Sequence, residues 1–109
     1  MSALQIPIFP KEDYYVKRCI LFKLVPGTDP IEIQEKLWKS LRKLDDALDW
    51  MNHPVIHRSC MEGDDYDLMV VITIDEEERL PEFLNHPLKQ KLEDKVDDRI
   101  SKVSVFNHY

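Results

Sequence analysis

The residues of this chain best suited to proton chemistry are His86, Lys89 and Arg18, with Tyr66 as a phenol able to orient or relay a proton. Imidazole titrates near neutral pH, so a histidine beside a phenol makes a workable acid–base pair. Arginine keeps its charge and offers forked donors, which suits a carboxylate or an enolate. Lysine serves as a base only where burial lowers its pKa by several units. Each residue also has a plainer role. His86 falls at a helix break and could cap or pack there. Arg18 could form a salt bridge with Asp67, Glu82 or an acidic residue of the last helix. Tyr66 could fill the core with its hydroxyl at the edge.

Metal and redox chemistry start from weaker patterns. Cys19 and Cys60 form neither a C-x-x-C motif nor a zinc-type Cys/His spacing, and read as reduced thiols. His53 and His57 are four apart, but the intervening Pro54 prevents the continuous helix that would put both imidazoles on one face. The acidic run Glu76-Glu77-Glu78 suits a helix amino terminus, and Asp97-Asp98 suits a solvated turn. Neither needs a metal, and no metal or cofactor is expected.

The chain has 109 residues, with 15 basic against 21 acidic and a formal charge of −6. That balance argues against non-specific binding to nucleic acid or to anionic membrane surfaces. No apolar stretch approaches the ~20 residues of a membrane span, and Met1 to Pro10 lacks the pattern of a signal peptide. The expectation is a soluble, cytoplasmic protein with one domain over residues 15–109, preceded by an arm over residues 1–14. The arm carries Pro7 and Pro10 around Ile6, Ile8 and Phe9, which suits packing on the surface or on a second subunit.

Periodicity supplies the elements that must position these groups. Val16 to Val25 reads as a strand, with Val16, Arg18, Ile20, Phe22 and Leu24 on one face and Lys17, Cys19, Leu21 and Lys23 on the other. Asp29, Pro30 and Glu32 announce a helix with a capping box. Its stripe is Ile33, Leu37, Leu41, Leu44 and Leu48, with Trp38 and Trp50 beside it, and Asn52-His53-Pro54 as its stop. Val55 to Met61 then reads as a second strand, turning through Glu62-Gly63-Asp64-Asp65 into a third, Tyr66 to Ile74. Asp75 and Glu78 repeat the capping signature. A second helical region holds Leu80, Phe83 and Leu84, breaks at Asn85-His86-Pro87, and resumes through Leu88, Leu92 and Val96. Val103 to His108 is the last strand. Two βαβ units in succession predict a ferredoxin-like α+β sandwich of βαββαβ order.

Three pieces of sequence carry a resemblance. They are Val16-Lys17-Arg18-Cys19-Ile20-Leu21-Phe22-Lys23 with Pro26-Gly27-Thr28, then Asp65-Tyr66-Asp67, and finally Phe83-Leu84-Asn85-His86-Pro87 before Gln90. In that order and spacing the chain resembles the Dabb family, the stress-responsive members of the dimeric α+β barrel superfamily, over Tyr15 to Tyr109. The resemblance implies a homodimer in which two four-stranded sheets pack face to face into a barrel with the helices outside. Cys19, Leu21, Met69, Val71 and Phe106 suit that role, because they place apolar groups on the face turned from the helices.

Enzymes of the family resemble small polyketide cyclases, with an aromatic or polyketide ligand held between helices and sheet and a His–Tyr pair moving protons. In the plant cyclase of the family the working histidine closes a His-Pro-x-His motif, and its tyrosine stands three residues before that motif. Here those positions hold Lys89 and Phe83, so a copy of that mechanism is not expected. The resemblance implies a pocket for an apolar or aromatic metabolite, with His86, Lys89 and Arg18 as candidate catalytic residues. Tyr66, Phe83, Phe22 and Trp38 are the candidate substrate contacts, and cyclase, lyase or isomerase activity is the enzymatic reading. The alternative is a non-enzymatic, stress-associated homo-oligomer whose pocket has filled with side chains.

Overall fold

The computed structural model of the protein describes residues 15–93 and 97–109. The expected arm and Val96 lie outside the described residues. Along the chain run β1 (Val16–Leu24), α1 (Pro30–Ala47), β2 (Met51–Arg58), β3 (Leu68–Ile74), a 3-10 turn at Glu77–Arg79, α2 (Leu80–Leu84), α3 (Pro87–Glu93) and β4 (Ile100–His108). The four strands form one sheet of order β2-β3-β1-β4, with every neighbouring pair antiparallel. This is the expected ferredoxin-like α+β fold. No described helix is long and apolar enough to cross a membrane.

The core follows the two periods read from the sequence. Val16, Ile20, Phe22 and Leu24 of β1 and Leu68, Val70, Ile72 and Ile74 of β3 are buried on the helix side. Ile33, Leu37, Leu41, Leu44 and Leu48 of the first helical region meet them. α1 starts as Asp29 accepts the Ile31 amide at 3.0 Å, with Pro30 at its first position. The reciprocal arm of the capping box is replaced, because Glu32 pairs instead with Arg99 at 2.7 Å.

Several boundaries differ from the sequence reading, among them the end of β1 at Leu24 and of β2 at Arg58. α1 ends at Ala47, and Asn52-His53-Pro54 lies inside β2. Proline is tolerated there because β2 is an edge strand, and the pairing with β3 shifts register between Asn52 and Val55. The Asp75 carboxylate accepts from the Asn52 side-chain amide, and the 3-10 turn begins after Glu76 without a side-chain cap among the described residues. β4 starts at Ile100, three residues before Val103.

β3 starts at Leu68, because Asp67 interrupts the alternation. Its amide donates to the Phe22 carbonyl at 2.9 Å, and its carboxylate accepts the Leu24 amide at 2.7 Å. Tyr66 is therefore outside the strand, and the expected shared face with Leu68 is not formed. Gly63, in the loop before it, has φ 91°, a left-handed conformation that disfavours any side chain.

The other face of the sheet is open in the single chain. Cys19, Leu21, Met69 and Val71 are half-buried there, and Phe106 is 63% exposed.

Candidate functional site

Strand alternation puts Arg18 on the helix side of β1, between Val16 and Ile20, opposite Ile72 of β3 and Asn107 of β4. It is 6% exposed, the buried charged residue among those described. Its guanidinium meets Glu93 at the end of α3 through Nε and Nη2, each 2.6 Å from a carboxylate oxygen. Nη1 donates to the Asn107 side-chain oxygen at 2.8 Å. The fork geometry fits arginine and not lysine, since two parallel N–H groups match two carboxylate oxygens.

Phe83 closes one side of this cluster. Fully buried, its ring lies with the centroid 5.7 Å from Arg18 Cζ and makes an edge contact with Trp50 at 6.4 Å. Lys89 stands one turn before Glu93 on α3, its Nζ 3.6 Å from the same carboxylate and its side chain 15% exposed. Two cations thus share one carboxylate among the described residues. Three of the five N–H donors of Arg18 are engaged by described residues.

His86 sits at the break between α2 and α3, half-buried, and its Nδ1 accepts the Leu88 amide at 3.1 Å. That contact caps α3 and fixes Nδ1 as an acceptor. The helix break thus brings His86, Lys89 and Phe83 into one short segment, with Lys89 and Phe83 gathered about Arg18. Phe22 lies fully buried on the Arg18 face, four residues along the strand.

The remaining candidates lie elsewhere. Trp38 is 43% exposed on the outer side of α1, where it lines an open groove of about 740 Å³ with Pro54, Val55 and Ile56 of edge strand β2. Tyr66 is on the opposite side of the sheet from Arg18, a correction to its expected place. Its hydroxyl is 2.7 Å from Ser104 Oγ, and Ser104 pairs with Leu21 on the open face. Hydrogen bonds from Ser104 and then Lys102 lower its phenol pKa below the ordinary value.

Glu93 and Asn107 are the members of the cluster that the sequence does not single out. Glu93 is one of several acidic residues near the last helix, and Asp67 and Glu82, the other partners considered for Arg18, are engaged by Leu24 and Arg79 respectively. Asn107 becomes visible only through the register of β4 on β1.

The fold has relatives among known proteins. The family model described as the stress responsive A/B barrel domain, Dabb, matches residues 16–108. No curated protein matches the chain in sequence. Among solved structures, a dimeric protein of unknown function with a ferredoxin-like fold from Bacteroides fragilis is similar at 12% identity and TM-score 0.70, covering 93% of this chain and 98% of its own. A hydroxynitrile lyase from Passiflora edulis is similar at 12% identity and TM-score 0.70, with 91% and 94% covered. A Dabb family protein with a ferredoxin-like fold from Mesorhizobium loti has 14% identity and TM-score 0.65, with 87% and 95% covered. At these identities the structures speak for the fold alone, while the family model spans nearly the whole described domain: the chain belongs to the Dabb family of stress-responsive A/B barrel domains.

Proposed function

We propose that the protein is a homodimer that binds an apolar or aromatic, polyketide-like metabolite carrying a carboxyl or enol group between its helices and sheet. The observation that carries this reading is the pairing at the helix–sheet cluster, where, among the described residues, Arg18 and Lys89 share the carboxylate of Glu93. Two cations on one carboxylate in a largely desolvated place would welcome an acidic ligand group as a further partner. Phe83 and the neighbouring core supply an apolar wall. The reaction class served by such an arrangement is cyclisation, lyase cleavage or isomerisation through an enolate, whose charge Arg18 and Lys89 would hold and whose proton His86 would carry. The similar fold of the Passiflora edulis hydroxynitrile lyase supports a lyase reading as an analogy of fold.

Dimerisation rests on the open sheet face, whose half-buried apolar residues and exposed Phe106 form a surface suited to a second copy. Cys19 and Cys60 are both free, which fits a reducing, cytoplasmic setting.

A second reading, a non-enzymatic homo-oligomer, is favoured by one observation. Each nitrogen of Arg18 already has an acceptor, and the largest side chains around it are fully buried. Native mass spectrometry, followed by calorimetric titration with 2-naphthoate, separates the two. The binding reading expects a dimer that takes up the probe and a Lys89→Met variant whose affinity drops about tenfold. A dimer blind to 2-naphthoate and free of any co-purified ligand would transfer the function to assembly, and a stable monomer would remove both readings.

A further inference from the structure

We propose that the amino-terminal arm, residues 1–14, docks in the groove between α1 and edge strand β2 of its own chain, with its apolar segment Ile6 to Pro10 laid against Trp38. This surface is separate from the Arg18 cluster and from the open sheet face, and the inference does not rest on the ligand reading given above.

The groove, of about 740 Å³, belongs to the helix layer. On its β2 wall, Ile56 and Arg58 pair with Val70 and Leu68 of β3, which are buried on the helix side, so both point the same way. The opposite wall is α1, where Ile31 is 50% exposed and Trp38 43% exposed. Large apolar side chains gathered in this way mark a surface that another segment covers. Two sheets packed through their open faces cover the other side of β2 and leave this wall free.

The edge itself selects the kind of occupant. β2 is a poor template for an added strand, because Pro54 lacks an amide and the register with β3 shifts between Asn52 and Val55. The occupant must therefore bind through side chains. Pro7-Ile8-Phe9-Pro10 has the P-x-x-P spacing of extended segments that need no ladder partner and dock on aromatic-lined grooves. Charge agrees with this choice. Lys39, Arg42 and Arg58 stand against one carboxylate, Glu35, among the lining residues, and the arm's Lys11-Glu12-Asp13 stretch is net acidic.

The arm is also long enough. It joins β1 at Tyr15, and Val16 is level with Met51 of β2, since both pair with Ile74. Val55, in the groove wall, is level with Cys19, since both pair with Val71. The groove is thus roughly 10 Å across the sheet and roughly 10 Å along it from the start of β1. An extended chain of ~3.1 Å per residue carries Pro10 about 16 Å and Ile6 about 28 Å from Tyr15, which spans that separation within one chain.

The test places the photoreactive p-benzoylphenylalanine at position 9 of the full chain in place of Phe9 and maps its cross-links by mass spectrometry. The expected product is a cross-link within one chain to the segments carrying Trp38 or Ile56. Trp38→Ala, a change at an exposed side chain, should lower the yield of that product about fivefold, the scale of one lost aromatic contact. A second readout uses ordinary side chains. The Trp38 indole N–H resonance, assigned by its loss in Trp38→Phe, should shift in Phe9→Ser while that of Trp50 stays in place. Cross-links between two chains would give the groove to the second copy's arm and overturn the proposal. Cross-links to β4 or α3, no cross-link at all, a yield unchanged in Trp38→Ala, or a Trp38 resonance unmoved in Phe9→Ser would each overturn it as well.

Discussion

Arg18 and Glu93, 75 residues apart in the chain, are joined by two charge-assisted hydrogen bonds of 2.6 Å that tie the middle of the sheet to the end of α3. Their side chains are 7% and 8% exposed, so the pair is nearly desolvated. Such a pair need not stabilise the fold relative to apolar residues of similar volume, but breaking it strands a charge.

Glu93→Gln should therefore destabilise the protein by about 3–5 kcal/mol, because Arg18 and Lys89 are left without their shared anion. The double variant Arg18→Met with Glu93→Leu should recover most of that loss, since no buried charge remains on the Arg18 side and the long Lys89 side chain can reach water. Urea denaturation of the single and double variants checks this. Equal losses in both would show that side-chain packing, not charge pairing, dominates at this position.

Phe83 tests the apolar half of the same cluster. It is fully buried and touches both Trp50 and Arg18. Phe83→Ala should cost about 3–5 kcal/mol through lost burial and the cavity left behind. Phe83→Leu should cost distinctly less, because most of the volume is retained. Thermal melts of both variants give the order, and similar losses would point to the ring contacts as the main contribution.

Much of this architecture is legible in the residues, and the exceptions have physical causes. Val16 to Leu24 alternates and Ile33 to Leu48 repeats with helical spacing because each element buries one face, a property written in local sequence. Pro54 misleads because a proline that stops a helix and a proline tolerated on an edge strand look alike until the sheet order is known. Tyr66 misleads because the alternation stops at Asp67, whose carboxylate replaces a ladder acceptor for Leu24. The helix break at His86-Pro87 is visible, as proline chemistry predicts. The partner of Arg18 is narrowed to an acidic residue of the last helix, whereas the choice of Glu93, and the presence of Asn107, depend on how α3 and β4 dock.

Phe106 probes the open face. It is 63% exposed in the single chain and stacks on His108 at 5.9 Å, on the side of the sheet where Cys19 and Leu21 lie. If two copies meet through this face, Phe106→Glu places a charge in the contact and removes a large apolar surface. The dimer dissociation constant should rise by about tenfold to a hundredfold, or ~1.4–3 kcal/mol. Light scattering on size-exclusion fractions over a range of concentrations measures it, and an unchanged dimer would move the interface to another surface.

Asp97 governs how the fold responds to acid. Its carboxylate accepts the Arg99 amide at 2.9 Å, Arg99 Nε at 3.1 Å, Arg99 Nη2 at 3.0 Å and Lys36 Nζ at 2.9 Å. The Arg99 hydrogen bonds, side chain before backbone, and then Lys36 hold its pKa well below the usual carboxylate range. In the unfolded chain the same group titrates near ~3.9. Below that pH the unfolded state binds more protons than the folded one, so stability falls as the medium becomes more acidic, whereas above it the contribution is present in full. Asp97→Asn should lower the melting temperature at pH 7 and flatten its decline below about pH 4, since the variant has no proton to take up there. Melting curves of the two proteins between neutral pH and the acid limit provide the comparison. Parallel curves across the acid range would show that Asp97 titrates alike in the folded and unfolded chains, contrary to the four hydrogen bonds it accepts.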